Sequence, residues 1–194
     1  MCNKCQKKLE NEAIWEIKEN KNPYIFSQEI ISIFKYENVN RKEIIRYKFN
    51  EKSYLYKMFI NFIIKNEKIC KKIGSYDTIV PVPISKKRNM ERGYNQSYLL
   101  AKEIGKKIKI DIENNCLYKS RNTIEQSKLT KEEREKNAKN VYKIKNKEIL
   151  NNKKVLLLDD IYTTGNTINE CAKTLLEAKP KKIGALVIAK DYIK

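Results

Sequence analysis

The chain of 194 residues contains no histidine. That removes the usual general base, the usual switch near neutral pH and the usual nitrogen ligand for zinc, so any chemistry has to run on carboxylates, cations and backbone groups. Long apolar runs are missing as well. The longest, Met58 to Ile64, is broken by Asn61 and falls far short of the roughly 20 residues that span a bilayer, so no membrane insertion is expected. The opening, Met1-Cys2-Asn3-Lys4-Cys5, lacks the apolar stretch of a secretory signal, and the five cysteines are odd in number and mostly scattered. A cytoplasmic setting with reduced thiols is the expectation. No internal repeat or low-complexity linker divides the chain.

What the chain has in excess is positive charge. Lysine and arginine number 42 against 24 acids, a formal net charge of +18, which attracts phosphate-bearing ligands and nucleic acid by its long-range field. Lysine, isoleucine and asparagine are abundant throughout, so the charge is equally a compositional habit and marks no particular face. Hydrophobic residues make up 41%, enough for a packed core, and the length suits one main domain with a small appendage.

Two patterns divide the chain. Residues 1–70 are poor in glycine, with Tyr54, Leu55, Met58, Phe59, Phe62 and Ile63 at the spacing of an amphipathic helix, a β-rich run from Ile30 to Tyr36, and a short helix over Arg41 to Phe49. Residues 71–194 alternate strands and helices: a strand over Thr78 to Pro83, a helix over Asn95 to Lys107, a gapless apolar strand Val155-Leu156-Leu157-Leu158, and a strand over Lys182 to Ala189. Between the last two strands, Ile168, Cys171, Ala172, Leu175 and Leu176 form one apolar helical face, and the crossover is expected to be right-handed.

The segment VLLLDDIYTTGNT, residues 155–167, puts two carboxylates at the carboxyl end of a central strand, where open α/β sheets bind ligands. The hydroxyls of Thr163, Thr164 and Thr167, with Gly165 and Asn166 between them, stand where the free N–H groups of the next helix point outward, which makes an anion cradle. Asp159 and Asp160 suit two neighbouring hydroxyl groups, so a ribose 5′-phosphate matches both halves. A plainer reading makes Thr167 an N-cap and the two acids a solvated strand end. The other half of the site is expected from Ser85, Lys86, Lys87 and Arg88, a cationic loop after the first strand that faces the same crevice and neutralises a diphosphate. Its plainer reading is a solvated basic turn.

Residues 155–167 resemble the phosphoribosyl pyrophosphate (PRPP) motif of type I phosphoribosyltransferases. The resemblance implies a parallel sheet flanked by helices, PRPP bound with magnesium, Asp159 and Asp160 on the ribose hydroxyls as catalytic groups, and Thr163 to Thr167 on the 5′-phosphate. VPVPIS at 80–85, the RGYNQ run at 92–96, and Arg121, Thr123, Gln126, Leu129, Arg134 and Asn137 are similar to the ComF family of competence-associated, phosphoribosyltransferase-like proteins, over roughly residues 30–190. This implies a link to DNA uptake, with transfer of phosphoribosyl to an acceptor and release of diphosphate as one activity. The alternative is a non-catalytic module that binds single-stranded DNA or a competence helicase.

The same resemblance makes Lys119 to Asn140 a loop that closes over the diphosphate, with Arg121, Thr123, Gln126 and Lys128 in it; a charged surface helix from Thr130 onward is the other reading of that stretch. ComF-like proteins carry an N-terminal zinc module of Cys-x-x-Cys pairs. Here only Cys2 and Cys5 have that spacing, since Cys70, Cys116 and Cys171 are single and distant, so a zinc ion on Cys2 and Cys5 would be completed by another subunit or by spatially close thiols, and otherwise the pair is a remnant. Residues 1–70 are also the expected hood for a base.

Overall fold

The computed structural model describes residues 9–49, 53–121 and 140–192. Eight strands and six helices organise them: β1 (Ala13–Glu19), β2 (Glu29–Lys35), α1 (Asn38–Phe49), α2 (Tyr56–Lys65), α3 (Glu67–Ile73), β3 (Thr78–Pro81), α4 (Lys86–Arg92), α5 (Gln96–Ile108), β4 (Asp111–Ile112), β5 (Leu117–Lys119), β6 (Tyr142–Ile144), β7 (Lys154–Tyr162), α6 (Asn166–Leu175) and β8 (Lys182–Lys190). The main sheet runs β1-β2-β8-β7-β3-β4. All its pairings are parallel except β1 with β2, so this is a mixed α/β fold with a mostly parallel sheet. A separate antiparallel ribbon joins β5 and β6.

Strand alternation divides the interior into two cores. Leu156 and Leu158 of β7, with Ile31, Ile33, Ile79, Leu186 and Ile188, face α1, α2, α3 and α5. Val155 and Leu157, with Ile30, Val80, Ala185 and Val187, face α6 and the β5–β6 ribbon. Because both faces are covered, β7 is apolar at every position from Val155 to Leu158, which is why that stretch shows no polar alternation. Among the described residues no helix is long and apolar enough to cross a membrane.

The N-terminal region shares this architecture with the rest of the chain. β2 pairs in parallel with β8 over Glu29↔Gly184 to Lys35↔Lys190, and Phe34, Ile44, Tyr47, Phe59 and Ile63 sit in the same core as Leu156 and Leu186. The change of pattern near residue 70 is therefore a change along the sequence and leaves sheet and core continuous. α1 begins three residues before the helix expected from Arg41, and β7 continues through the aspartates to Tyr162, so the two acids are themselves strand residues. The basic run after β3 is a helix, α4, where a loop was expected. Ser85 starts it by accepting a hydrogen bond from Arg88 N at 3.4 Å, and Gly93 ends it at φ 74°, a conformation that favours glycine.

Candidate functional site

In a parallel sheet the helices after neighbouring strands can leave in opposite directions, and the strand ends then part to open a crevice. Here β3 leads through α5 outward to β4, while β7 leads through α6 the other way to β8. A cleft of about 250 Å³ stands at that divergence. It is lined by Val82, Pro83 and Ile84 after β3, by Asp159, Asp160 and Ile161 of β7, and by Thr163 and Thr167 of the following loop and helix.

The phosphate half follows from how α6 begins. Its N-cap is Gly165, at φ 78°, and no side chain caps the helix. Thr167 is thus not the cap that the plainer reading required. The first N–H groups of a ten-residue helix are left for an external acceptor, at the positive end of its dipole. In the same loop Thr164 Oγ1 is buried and has no hydrogen-bond partner among the described residues, while Thr163 and Thr167 are the threonines that line the cleft. A hydroxyl in that condition costs free energy until something accepts from it.

The two carboxylates diverge, as neighbours on a strand must. Asp160 faces α1, where Lys48 Nζ lies 3.0 Å from its Oδ1 and 2.9 Å from its Oδ2. Asp159 Oδ1 accepts from Ser97 Oγ at 3.1 Å and from the amide of Asp160 at 2.9 Å. Burial raises the Asp159 carboxyl above its ordinary range, the negative charge of Asp160 adds to that, and Lys48 opposes it. The acids accordingly sit in one cleft as unequal acceptors, one held by an ammonium and the other by a hydroxyl.

Of the basic run singled out from the sequence, Arg88 lines the cleft and Lys86 and Lys87 do not. Lys86 and Lys87 are exposed on α4 and stand outside the cleft lining, and Lys87 lies 4.0 Å from Glu91. Ser85 is buried as the cap of α4. Arg88 does line the cleft, and with it Arg92, one helical turn on, Lys119 at the end of β5, and Arg41 and Lys48 of α1. Burial lowers Lys119 to about 8, with the charge of Arg88 acting in the same direction. Arg121 is exposed just beyond it. Thr123, Gln126, Lys128 and the helix expected from Thr130 lie outside the described residues, as do Cys2 and Cys5. Among the described residues no group of three His, Cys, Asp or Glu side chains could hold a metal. Cys116 and Cys171 are buried free thiols, and Cys70 is a half-buried one.

The RGYNQ run acts as a joint between the two halves. Asn95 caps α5 through Ser97 N and Tyr98 N and donates to the Val82 carbonyl at 3.1 Å. Tyr94 Oη donates to the Tyr47 carbonyl at 2.5 Å, Tyr47 Oη donates to the Gln96 carbonyl at 2.7 Å, and Gln96 Nε2 donates to the Lys48 carbonyl at 3.3 Å. These bonds bring the end of α1 to the cleft. Tyr36, Arg41 and Lys48, all from the first 70 residues, form one wall of it.

Residues 90–193 match the Phosphoribosyl transferase domain family. The chain belongs to that family, in its ComF-like branch. It is 35% identical over 100 residues to Competence protein F of Haemophilus influenzae, covering 51% of this chain and 44% of that one. It is 33% identical over 152 residues to Competence protein ComFC of Streptococcus pneumoniae, covering 78% and 64%. The chain thus spans about half the length of several curated relatives it matches. Orotate phosphoribosyltransferase from Aeropyrum pernix aligns over 98% of this chain and 81% of its own at 12% identity, with a TM-score of 0.43. That score is low, so the fold assignment rests on the sheet topology and the family match.

Proposed function

We propose that the cleft binds PRPP or a nucleotide through its ribose 5′-phosphate, and that the chain serves DNA uptake in that capacity. The single observation that carries this reading is the start of α6, left without a side-chain cap, at a cleft lined by Thr163, Thr167 and two carboxylates. Phosphate goes to the helix start and the threonines, and the vicinal diol goes to Asp159 and Asp160. At about 250 Å³ the cleft lies a little below the roughly 300–1,000 Å³ of most small-molecule sites. A sugar phosphate fills it, and a base would extend along the wall of Tyr36 and Arg41.

With PRPP bound, Arg88, Arg92 and Lys119 face the diphosphate side and offset its charge as it leaves C1. The C1–O bond breaks, a C–N bond to a nitrogenous acceptor forms, and the acceptor's proton passes to diphosphate or water, so no protein nucleophile is needed. With no set of three such side chains among the described residues to hold it, magnesium would arrive on the ligand's own oxygens, in the manner usual for this ion with phosphates, and would neutralise the diphosphate.

Calorimetry with PRPP and magnesium on the native chain and on Asp160→Asn tests the site before any acceptor is known. Native binding with at least a tenfold loss in the variant is expected, and equal affinities would end this reading. Diphosphate release with a panel of purine and pyrimidine bases then tests transfer.

A second reading, contact with single-stranded DNA or a helicase, is favoured by the net charge of +18 and by relatives named as competence and DNA utilization proteins. It predicts salt-dependent DNA binding that Asp160→Asn leaves unchanged. Failure to retain an oligonucleotide at low salt would remove it.

A further inference from the structure

We propose that Lys48 is a built-in counter-cation for the ribose carboxylates, which lets the cleft take ribose 5-phosphate or a nucleoside 5′-monophosphate without a metal ion. The inference rests on the ribose-phosphate reading above and names the ligand class that this site takes metal-free. Lys48 Nζ contacts both oxygens of Asp160, at 3.0 and 2.9 Å, and the two side chains are 23% and 7% exposed. The pair therefore lies inside the cleft, among Asp159, Thr163 and Thr167, and not on its rim.

The ammonium is held there by its backbone. Tyr94 and Gln96 fix the carbonyls of Tyr47 and Lys48, and the buried Tyr47 hydroxyl returns a bond to Gln96. Three hydrogen bonds around two consecutive residues fix the backbone from which the side chain leaves, and the ion pair with Asp160 holds its far end before any ligand binds. An exposed surface pair has no such support and contributes little.

Two neighbouring carboxylates in a cleft repel each other and need a positive charge nearby if both are to remain acceptors. A divalent ion can supply it, and so can a tethered ammonium. A monophosphate ester places its own charge at the α6 start, away from the carboxylates, and carries no diphosphate that calls for an ion. For that ligand Lys48 completes the charge balance. PRPP still brings a diphosphate to Arg88, Arg92 and Lys119, and its binding retains a magnesium requirement.

Calorimetry with ribose 5-phosphate, adenosine 5′-monophosphate and PRPP, each in EDTA and in magnesium, decides the matter. The native chain is expected to bind both monophosphates equally in the two buffers. Lys48→Met should weaken them at least tenfold in EDTA and regain most of that in magnesium. Lys48→Arg should stay within about threefold of native, and Lys48→Gln, which keeps a donor without the charge, should behave as Lys48→Met. Thermal melts of each variant establish that it is folded. Native-like affinity of folded Lys48→Met or Lys48→Gln in EDTA overturns the proposal, as does a native chain that binds PRPP with magnesium but no monophosphate in EDTA. A native chain that binds none of the three overturns the ribose-phosphate reading, and this inference with it.

Discussion

A Cβ placed on Gly165 would run into the hydroxyl oxygen of Tyr162, three residues back at the end of β7. The loop between them folds so tightly because Gly165 takes φ 78°, where a side chain costs about 1–2 kcal/mol even in open space. Tyr162 would also have to rotate from its place against the second core. Gly165→Ala is expected to lower the thermal midpoint by about 3–6 °C and the affinity for ribose 5-phosphate about tenfold, since the α6 amides would be re-aimed. Unchanged calorimetric affinity would mean that the loop amides do not hold the ligand.

Asp159 carries a stability cost that its binding role explains. Its carboxyl is raised above the ordinary range by burial and by Asp160, so stability fully present below that range is lost as pH rises through the elevated value. Asp159→Asn removes the charge while its amide oxygen can still accept from Ser97. The variant is expected to melt a few degrees higher than native at pH 8, with the gap shrinking toward pH 4, and to bind ribose 5-phosphate more weakly. A variant that melts lower at pH 8 would show that the ionised group stabilises the empty fold.

The fold was legible where burial is two-sided. Val155 to Leu158 show no polar alternation, and only a covered strand tolerates that, so β7, the crevice at its end and the helix after Gly165 could be placed from residue pattern alone. Arg88 apart, the cations of the site were not legible. Lys48 reaches Asp160 across 112 positions and lies on a helix whose sequence looks like any other lysine-rich stretch. Lys119 ends a strand of three residues, too short for alternation to register. Lys86 and Lys87 misled because a loop was expected where Ser85 caps a helix; the helical turn brings Arg88 and Arg92 to the cleft and leaves the lysines in solvent. A spacing of four between two arginines was the available signal.

At the opposite end of the sheet, Glu29 holds β2 to its neighbours. Only 2% of its side chain is exposed, and it takes Lys72 at 2.7 Å, Lys182 at 3.2 Å and the hydroxyl of Tyr76. Burial pushes its carboxyl up, but the bonds from Lys72, Tyr76 and Lys182 outweigh that and leave it below the usual range. A depressed carboxyl contributes stability above the ordinary carboxylate range and loses it as pH falls through the lowered value. Glu29→Gln leaves two half-buried ammonium groups without their counter-charge and is expected to cost about 1–3 kcal/mol at pH 7. Urea unfolding at pH 7 and pH 3 checks this: the native advantage should shrink at the lower pH, and an advantage of equal size at both would rule out the charge as its source.

Lys119 makes the anion affinity of the cleft depend on pH on the alkaline side. Burial and the charge of Arg88 lower its ammonium to about 8, and Asp159 partly opposes them. A phosphate or diphosphate oxygen needs the charged form, so native affinity for PRPP with magnesium should fall as pH rises from 7 through 9. The phosphate groups themselves are already ionised at pH 7, with a second pKa of about 6, and contribute little to that fall. Lys119→Met should bind about tenfold more weakly at pH 7 and show a flat profile above it. Lys119→Arg, charged throughout, should hold near-native affinity to pH 9. A native profile as flat as that of Lys119→Met would place Lys119 outside the anion's reach.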